Sequence, residues 1–434
     1  MTAQCTTRRA FLKAASAAAL GAPYIVQDSV LGAGGQPPPS DRVTVGCIGV
    51  GGRGRANMAT LLHCAQVVAV CDVDERRRNA ARHAAHSHYA ATAAKGSYKG
   101  CDGYRDFRDL LGRSDIDAVS VCTPDHWHAI PAIMAARSGK DVFCEKPLSL
   151  TLAEGRAVVD AVTRYHRVFQ HGTQRRSAGR FAFACELVRN GCIGRLHTVR
   201  VSSEPSHACP NDPPAAVPKG FDYPLWLGPA PWTPYSPRRV RVPYWYWIAD
   251  YTIGFVAGQG VHFTDVAQWG MDADATGPVE IEGSGVIPTD GLCDTATAWH
   301  VEMTFANGVR LVYDDHSAFP MGVIFEGTEG KVYAMCSGIR TEPASLLTVS
   351  IHPSGIRLRR PRAHVPDFIH CVRTREQTAA PAEAAHRASS LCHLTDIAIR
   401  TGRKLRWNPT RECFPGDPDA DRLLTGALRE PWRL

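Results

Sequence analysis

The sequence predicts an α/β protein: an N-terminal doubly wound parallel sheet, then an α+β half built on a large, mostly antiparallel open sheet. Three observations carry this reading. Short apolar runs of strand type alternate with helical patterns from residue 43 to about 166, the rhythm of βαβ units. A glycine-rich turn stands between the first such run and the first helix. Beyond residue 167 the runs Ala296–Phe305, Arg310–Tyr313 and Val323–Phe325 alternate or stay apolar around turns such as Asn307-Gly308, as antiparallel pairs do. The expected organisation is a leader and linker over 1–40, a first half over 41–166, a second over 167–385, and a helical tail over 386–434 packing back on the core.

The leader comes first. Thr7-Arg8-Arg9-Ala10-Phe11-Leu12-Lys13, an alanine-rich run to Leu20 and Gly21-Ala22-Pro23 read as a twin-arginine export signal. The run is short for a bilayer span and has no stop-transfer flank, so no stable membrane anchor is expected once the signal is removed. The expected location is therefore periplasmic or otherwise exported. Composition agrees with a globular product: 434 residues, 44% hydrophobic and 21% charged. The net charge is +7, and Arg8, Arg9 and Lys13 account for three of it, leaving +4. The clusters Arg76–Arg78 and Arg357–Arg362 are short and lack interleaved aromatics, so no nucleic-acid partner is expected. The 15 cysteines include no C-x-x-C pair, and no metal constellation stands out, although His83, His86 and His88 fall close together.

The glycine turn carries the first chemistry. After Val43–Ile48 the chain reads Gly49-Val50-Gly51-Gly52-Arg53-Gly54 and enters a helix. In a strand-to-helix turn, Gly49 allows the tight bend, Gly51 admits a pyrophosphate close to the backbone, and Gly54 lets helix pack on strand. Gly52 and Arg53 share that turn, and the helix N-terminus suits an anion. The second strand ends at Asp72, 18 residues past Gly54, near the spacing of a ribose-binding acid. A Rossmann domain binding NAD follows, with NADP possible because Arg76, Arg77 and Arg78 stand nearby. A folded exporter of this kind acquires its dinucleotide before leaving the cytoplasm.

At Thr123-Pro124-Asp125-His126-Trp127-His128 and Glu145-Lys146-Pro147-Leu148 the sequence resembles the glucose–fructose oxidoreductase / inositol dehydrogenase / MocA-like (Gfo/Idh/MocA) family, in an exported twin-arginine form. The resemblance runs from about Val43 to the C-terminus. It implies that Lys146 lies beside the nicotinamide and the substrate hydroxyl, with Glu145 on the same turn, and that Thr123, Pro124 and His128 frame the nicotinamide ribose. The chemistry asks for the same residue type: hydride leaves a carbinol carbon only as its hydroxyl proton is taken by a base within reach. A buried lysine near a cationic nicotinamide loses basicity and approaches that role.

For the second half the resemblance implies a substrate pocket entered from the sixth strand, with His171, Gln174 and Arg176 as polar candidates. Gly258–Trp269 resembles the family's catalytic helix, and its histidine matches His262. Many relatives carry an aspartate four residues before that histidine, where this chain has Gly258. Lys146 and His262 are thus the expected catalytic pair, with Asp250, Tyr251 and Asp265 as further substrate-side candidates. Residues 205–251, rich in proline and aromatics, suit a lid or binding element. The expected function is hydride exchange between NAD(P) and a carbinol of a sugar, glycoside or sugar derivative. Alternatives are a redox-assisted glycosidase that recycles its NAD, and a non-catalytic sugar binder. The resemblance also implies a homo-oligomer formed through the C-terminal sheet.

Overall fold

The computed structural model describes residues 42–93, Tyr98 and 100–434. The leader, read as a twin-arginine signal, lies outside the described residues. Six strands, β1 (Thr44–Ile48), β2 (Gln66–Cys71), β3 (Asp102–Tyr104), β4 (Ala118–Val121), β5 (Asp141–Cys144) and β6 (Phe169–His171), form a sheet in the order β3-β2-β1-β4-β5-β6. All its pairs are parallel. β4 and β5 are buried throughout, which explains why they read as continuous apolar runs. One face is covered by Met58 and Leu61 of the helix Gly52–Cys64, the other by Ile130, Ile133, Val158 and Val162. The strand order reverses between β1 and β4, and a crevice opens there at the carboxyl ends of the strands.

The second sheet has eight strands: β7 (Leu196–Ser203), β8 (Pro278–Val286), β9 (Ala298–Phe305), β10 (Arg310–Asp315), β11 (Gly322–Gly327), β12 (Lys331–Met335), β13 (Gly338–Glu342) and β14 (Leu405–Arg406). Their order is β13-β12-β11-β7-β10-β9-β8-β14. Only β7 and β10 pair in parallel. Side chains alternate across the strands, so Val201, Val301, Leu311 and Phe325 pack against Phe181, Phe263, Val266 and Leu394 of the covering helices. Arg200, His300, Glu302 and Tyr333 fall on the opposite face.

Three boundaries differ from expectation. β6 completes the parallel sheet, so the first half extends past 166 to His171. The helix His364–Thr374, placed by sequence in the second half, buries Phe368 and Ile369 against the first sheet, on the same side as Met58. The tail contributes a strand, β14, as well as helix.

Residues 205–251 contain only the short helix Tyr223–Leu227 and the turn Tyr244–Trp247, and they form a strap from the second half back to the first. Cys209 is disulfide-bonded to Cys293 at its base. At its far end Glu75 N donates to Gly220 O (2.9 Å) and Asp222 N to Val73 O (3.1 Å). Tyr223, Trp226, Trp245, Trp247 and Tyr251 give the strap its own buried aromatic core.

Candidate active site

The crevice holds a cavity of about 410 Å³, lined by the glycine turn, Asp72, the Thr123–Trp127 loop, Glu145, Lys146, His262 and the strap. Its floor is set by backbone constraints. Gly49 has φ 80°, a conformation costly to a side chain, and a Cβ there would lie 2.6 Å from Cys122 O. At Gly54 a Cβ would lie 1.9 Å from Gly49 O, so the helix approaches the strand only because it is glycine. Gly51 and Gly52 differ in kind. A Cβ at Gly52 would meet nothing within 4 Å, and at Gly51 the nearest atom is Arg77 Nη1 at 3.2 Å. The fold itself leaves that space open, as a pyrophosphate cradle requires. Asp72 Oδ2 accepts from Val50 N (2.9 Å) and Oδ1 from Asp74 N (2.9 Å), which aims the carboxylate along the cavity wall. Of the three arginines behind it, Arg78 donates to Asp72 O (2.7 Å), and Arg77 lines the cavity and pairs with Asp74 (3.4 Å).

Glu145 clamps this half of the site. Its Oε1 accepts from Arg53 Nε (2.8 Å) and Asn57 Nδ2 (2.8 Å), fastening the glycine-turn helix to the end of β5. Burial pushes its carboxyl up, but the Arg53 charge and these hydrogen bonds outweigh burial and hold it below the usual range. Arg53 and Glu145 thus reach the cofactor space as a preformed ion pair. His128 is also a clamp: its Nδ1 faces Pro147 O (2.5 Å) and its Nε2 faces Thr123 O (2.8 Å). It fixes the Thr123-Pro124 loop to the Lys146-Pro147 turn, both of which line the cavity. Thr123 Oγ1 is buried there with no hydrogen-bond partner among the described residues, a donor aimed at what the cavity binds. Glycine cradle, ribose-side acid and orphaned hydroxyl together fit a dinucleotide.

Lys146 is part-buried, and its Nζ donates to Gly258 O (2.5 Å) above the ring of Tyr246 (5.7 Å to the centroid). Burial lowers its pKa, opposed by Asp125 and then Glu145. His262 lines the same cavity, and its Nδ1 has no partner among the described residues. Burial, and after it the Lys146 charge, holds the imidazole neutral. The structure therefore brings Lys146 and His262 together.

Other expected residues fall elsewhere. Gln174 lines the cavity. Arg176 and Asp265 do not: buried Arg176 donates through Nε to buried Asp265 (2.8 Å) and through its Nη atoms to half-exposed Asp274 (2.7 and 2.8 Å). Asp265 is consequently turned to Arg176 rather than His262. Tyr251 is fully buried in the strap's aromatic core, its hydroxyl accepting from Arg239 (3.3 Å), and Asp250 beside it is also absent from the lining. None of these four lines the cavity. His171 is fully buried behind the lining, with neither ring nitrogen bonded. Trp226, Trp245, Tyr246 and Gln259, which sequence reasoning did not assign to the site, do line it. Nothing local in the sequence distinguishes a strap ring facing the cavity from one facing the strap's core.

The match to known proteins follows these halves. Residues 43–173 match the oxidoreductase-family NAD-binding Rossmann fold, and residues 207–434 match the same family's C-terminal alpha/beta domain. The chain belongs to the Gfo/Idh/MocA oxidoreductase family. It is 29% identical to an uncharacterized oxidoreductase, YrbE, of Bacillus subtilis (strain 168) over 214 residues, which are 48% of this chain and 51% of that protein. To a glycosyl hydrolase family 109 protein of Shewanella sp. (strain W3-18-1) it is 34% identical over 161 residues, 37% of this chain and 34% of that one. The chain thus spans about half or less of these relatives' lengths. Its fold is shared with levoglucosan dehydrogenase in complex with NADH and levoglucosan, at TM-score 0.59 and 19% identity, over 84% of this chain and 99% of that one.

Proposed function

We propose that the protein is an NAD-dependent dehydrogenase that exchanges hydride with a carbinol carbon of a sugar, glycoside or sugar derivative. The observation that carries this is a single cavity in which a pyrophosphate cradle and a ribose-side acid lead to Lys146 and His262. The bound nicotinamide supplies the hydride acceptor. Asp72 orients the ribose by accepting from its hydroxyls, a contact that favours NAD over NADP, since a carboxylate repels a 2′-phosphate. Lys146, its pKa lowered by burial, takes the hydroxyl proton on Nζ. Neutral His262 holds a second hydroxyl through its free Nδ1. Trp226, Trp245 and Tyr246 exclude water and offer apolar faces to sugar C–H groups.

The similarity to a glycosyl hydrolase family 109 protein favours a second reading, a glycosidase that oxidises, eliminates, hydrates and reduces, regenerating its NAD. One experiment separates the two. The NAD-loaded protein is offered a panel of free sugars and aryl glycosides, with NADH absorbance and aglycone release followed together. Net NADH from a sugar supports the dehydrogenase. Aglycone without net NADH transfers the assignment to the hydrolase, and neither signal overturns both.

We infer that the protein works outside the cytoplasm, exported folded through its Arg8-Arg9 signal. The Cys209–Cys293 disulfide supports this, because such bonds persist in oxidising compartments. A homo-oligomer formed through the open face of the eight-stranded sheet completes the proposal, and sedimentation equilibrium tests it.

A further inference from the structure

An ammonium drawn into a cleft is steadied by a compensating charge, and part-buried Lys146 has no ion-pair partner within contact distance among the described residues. Its Nζ donates to a neutral carbonyl, Gly258 O. Glu145, its chain neighbour, is spent on Arg53 and Asn57. A second buried carboxylate stands nearby with no arginine upon it. Asp125, 1% exposed, accepts one hydrogen bond, from Thr252 Oγ1 (2.8 Å). One turn of chain ties the two groups together. Thr252 Oγ1 accepts from Gly254 N (3.1 Å), Gly254 O accepts from Gly258 N (2.8 Å), and Gly258 O receives Lys146 Nζ. The segment Thr252–Gly258 thus holds the carboxylate at one end and the ammonium at the other.

We propose that Asp125 is the positioning residue for Lys146, the buried counter-charge that holds its ammonium at Gly258 and sets when it gives up its proton. The inference rests on the reading of Lys146 as the proton acceptor. The surrounding groups leave this role to Asp125. Burial lowers the pKa of His128, His171 and His262, and an imidazole supplies no negative charge to Lys146 in either state. Tyr246 and Cys144, which face Asp125, are kept protonated by burial. Arg53 is neutralised by Glu145. Lys146 and Asp125 are each the largest charge acting on the other, and Asp125 is pushed up to about 7 by burial, against Lys146 and the Thr252 hydroxyl. Removing the Asp125 charge while keeping its shape therefore lowers the pH at which Lys146 deprotonates.

The test titrates Lys146 in the full-length, NAD-loaded protein labelled with ¹³Cε-lysine, with Lys146→Arg assigning the resonance. Asp125→Asn, which keeps an acceptor for Thr252, is expected to move the Lys146 midpoint down by about one pH unit or more. Asp125→Glu is expected to restore it in part, and Thr252→Val to move it down by less. An unchanged midpoint in a folded Asp125→Asn protein overturns the proposal. If that variant does not fold, an unchanged midpoint in Thr252→Val overturns it instead. The titration needs no sugar, so a failed substrate panel with a shifted midpoint removes the sugar reading and leaves the pair standing. Where the panel yields a substrate, the rising limb of kcat against pH is expected to shift by the same amount.

Discussion

At the scale of single residues, the glycine turn separates folding from binding. A Cβ at Gly54 would lie 1.9 Å from the Gly49 carbonyl oxygen, whereas one at Gly51 would meet only the movable end of Arg77 at 3.2 Å. Gly51→Val is therefore expected to fold with an unchanged circular dichroism spectrum while losing dinucleotide binding by at least about 100-fold, because its side chain occupies the pyrophosphate space. Tight NAD binding by that protein in calorimetry would remove the glycine turn from the site. Lys146 and His262 divide the remaining work. Lys146→Ala is expected to slow hydride transfer about 10²–10⁴-fold in single-turnover experiments with little change in NAD affinity. His262→Ala is expected to raise KM as well as lower kcat, since the residue lines the cavity with Lys146. Near-normal turnover without the Lys146 amine would move the base elsewhere. These residues were legible because glycine spacing and the Glu145-Lys146-Pro147 motif are local signals. The surroundings of Arg176, Asp265 and Tyr251 were not legible, because their hydrogen-bond partners stand 12 to 98 positions away in the chain.

At the scale of elements, the strap carries the substrate side of the cleft without regular structure to hold it. It is pinned by backbone bonds to Val73 and Glu75 and by the disulfide at its base. Arg429 of the tail adds a third fastening, donating to Gly228 O (2.9 Å) and Pro224 O (2.8 Å), while Trp432 packs on Trp127. Cys209 and Cys293 are 84 residues apart, so their bond removes many conformations from the unfolded chain. The paired substitution Cys209→Ala/Cys293→Ala is expected to cost about 2–4 kcal/mol in denaturant unfolding and to speed NAD release measured by stopped-flow. Unchanged release would show that the tail and the Val73–Glu75 bonds suffice to keep the strap closed. Sequence periodicity located β1, the end of β2, β9, β10 and β11 closely, because buried strands and long alternating runs are strong patterns. It missed β3, three residues long with Gly103 at its centre, and in the second sheet it named none of β7, β8, β12, β13 and β14.

At the scale of the whole molecule, the two sheets are joined by polar contacts whose charge state is set from both sides. Glu412, in the tail, accepts from Arg156 Nη2 (2.7 Å) on the helix Leu152–Arg164 and from His386 Nε2 (2.8 Å) on the helix Ala382–Thr401. Arg156 and Arg387 also pair with Glu383, closing a network across the junction. Burial alone would raise the Glu412 carboxyl, but the His386 and Arg156 hydrogen bonds and charges bring it down to about 2, from 4.5. A carboxyl whose pKa is depressed by folding stabilises the native state above its unfolded value and loses that contribution as pH falls through its folded value. The window is thus pH 4.5 to 2, and the increment is at most about 3.5 kcal/mol, at about 1.4 kcal/mol per unit. Glu412→Gln keeps an acceptor and removes the charge. Its unfolding free energy, followed by tryptophan fluorescence in urea, is expected to fall below that of the parent at pH 6 and to converge with it near pH 2. Parallel curves for the two proteins across that range would mean that the junction is held by its apolar contacts and that the network adds no pH-dependent stability.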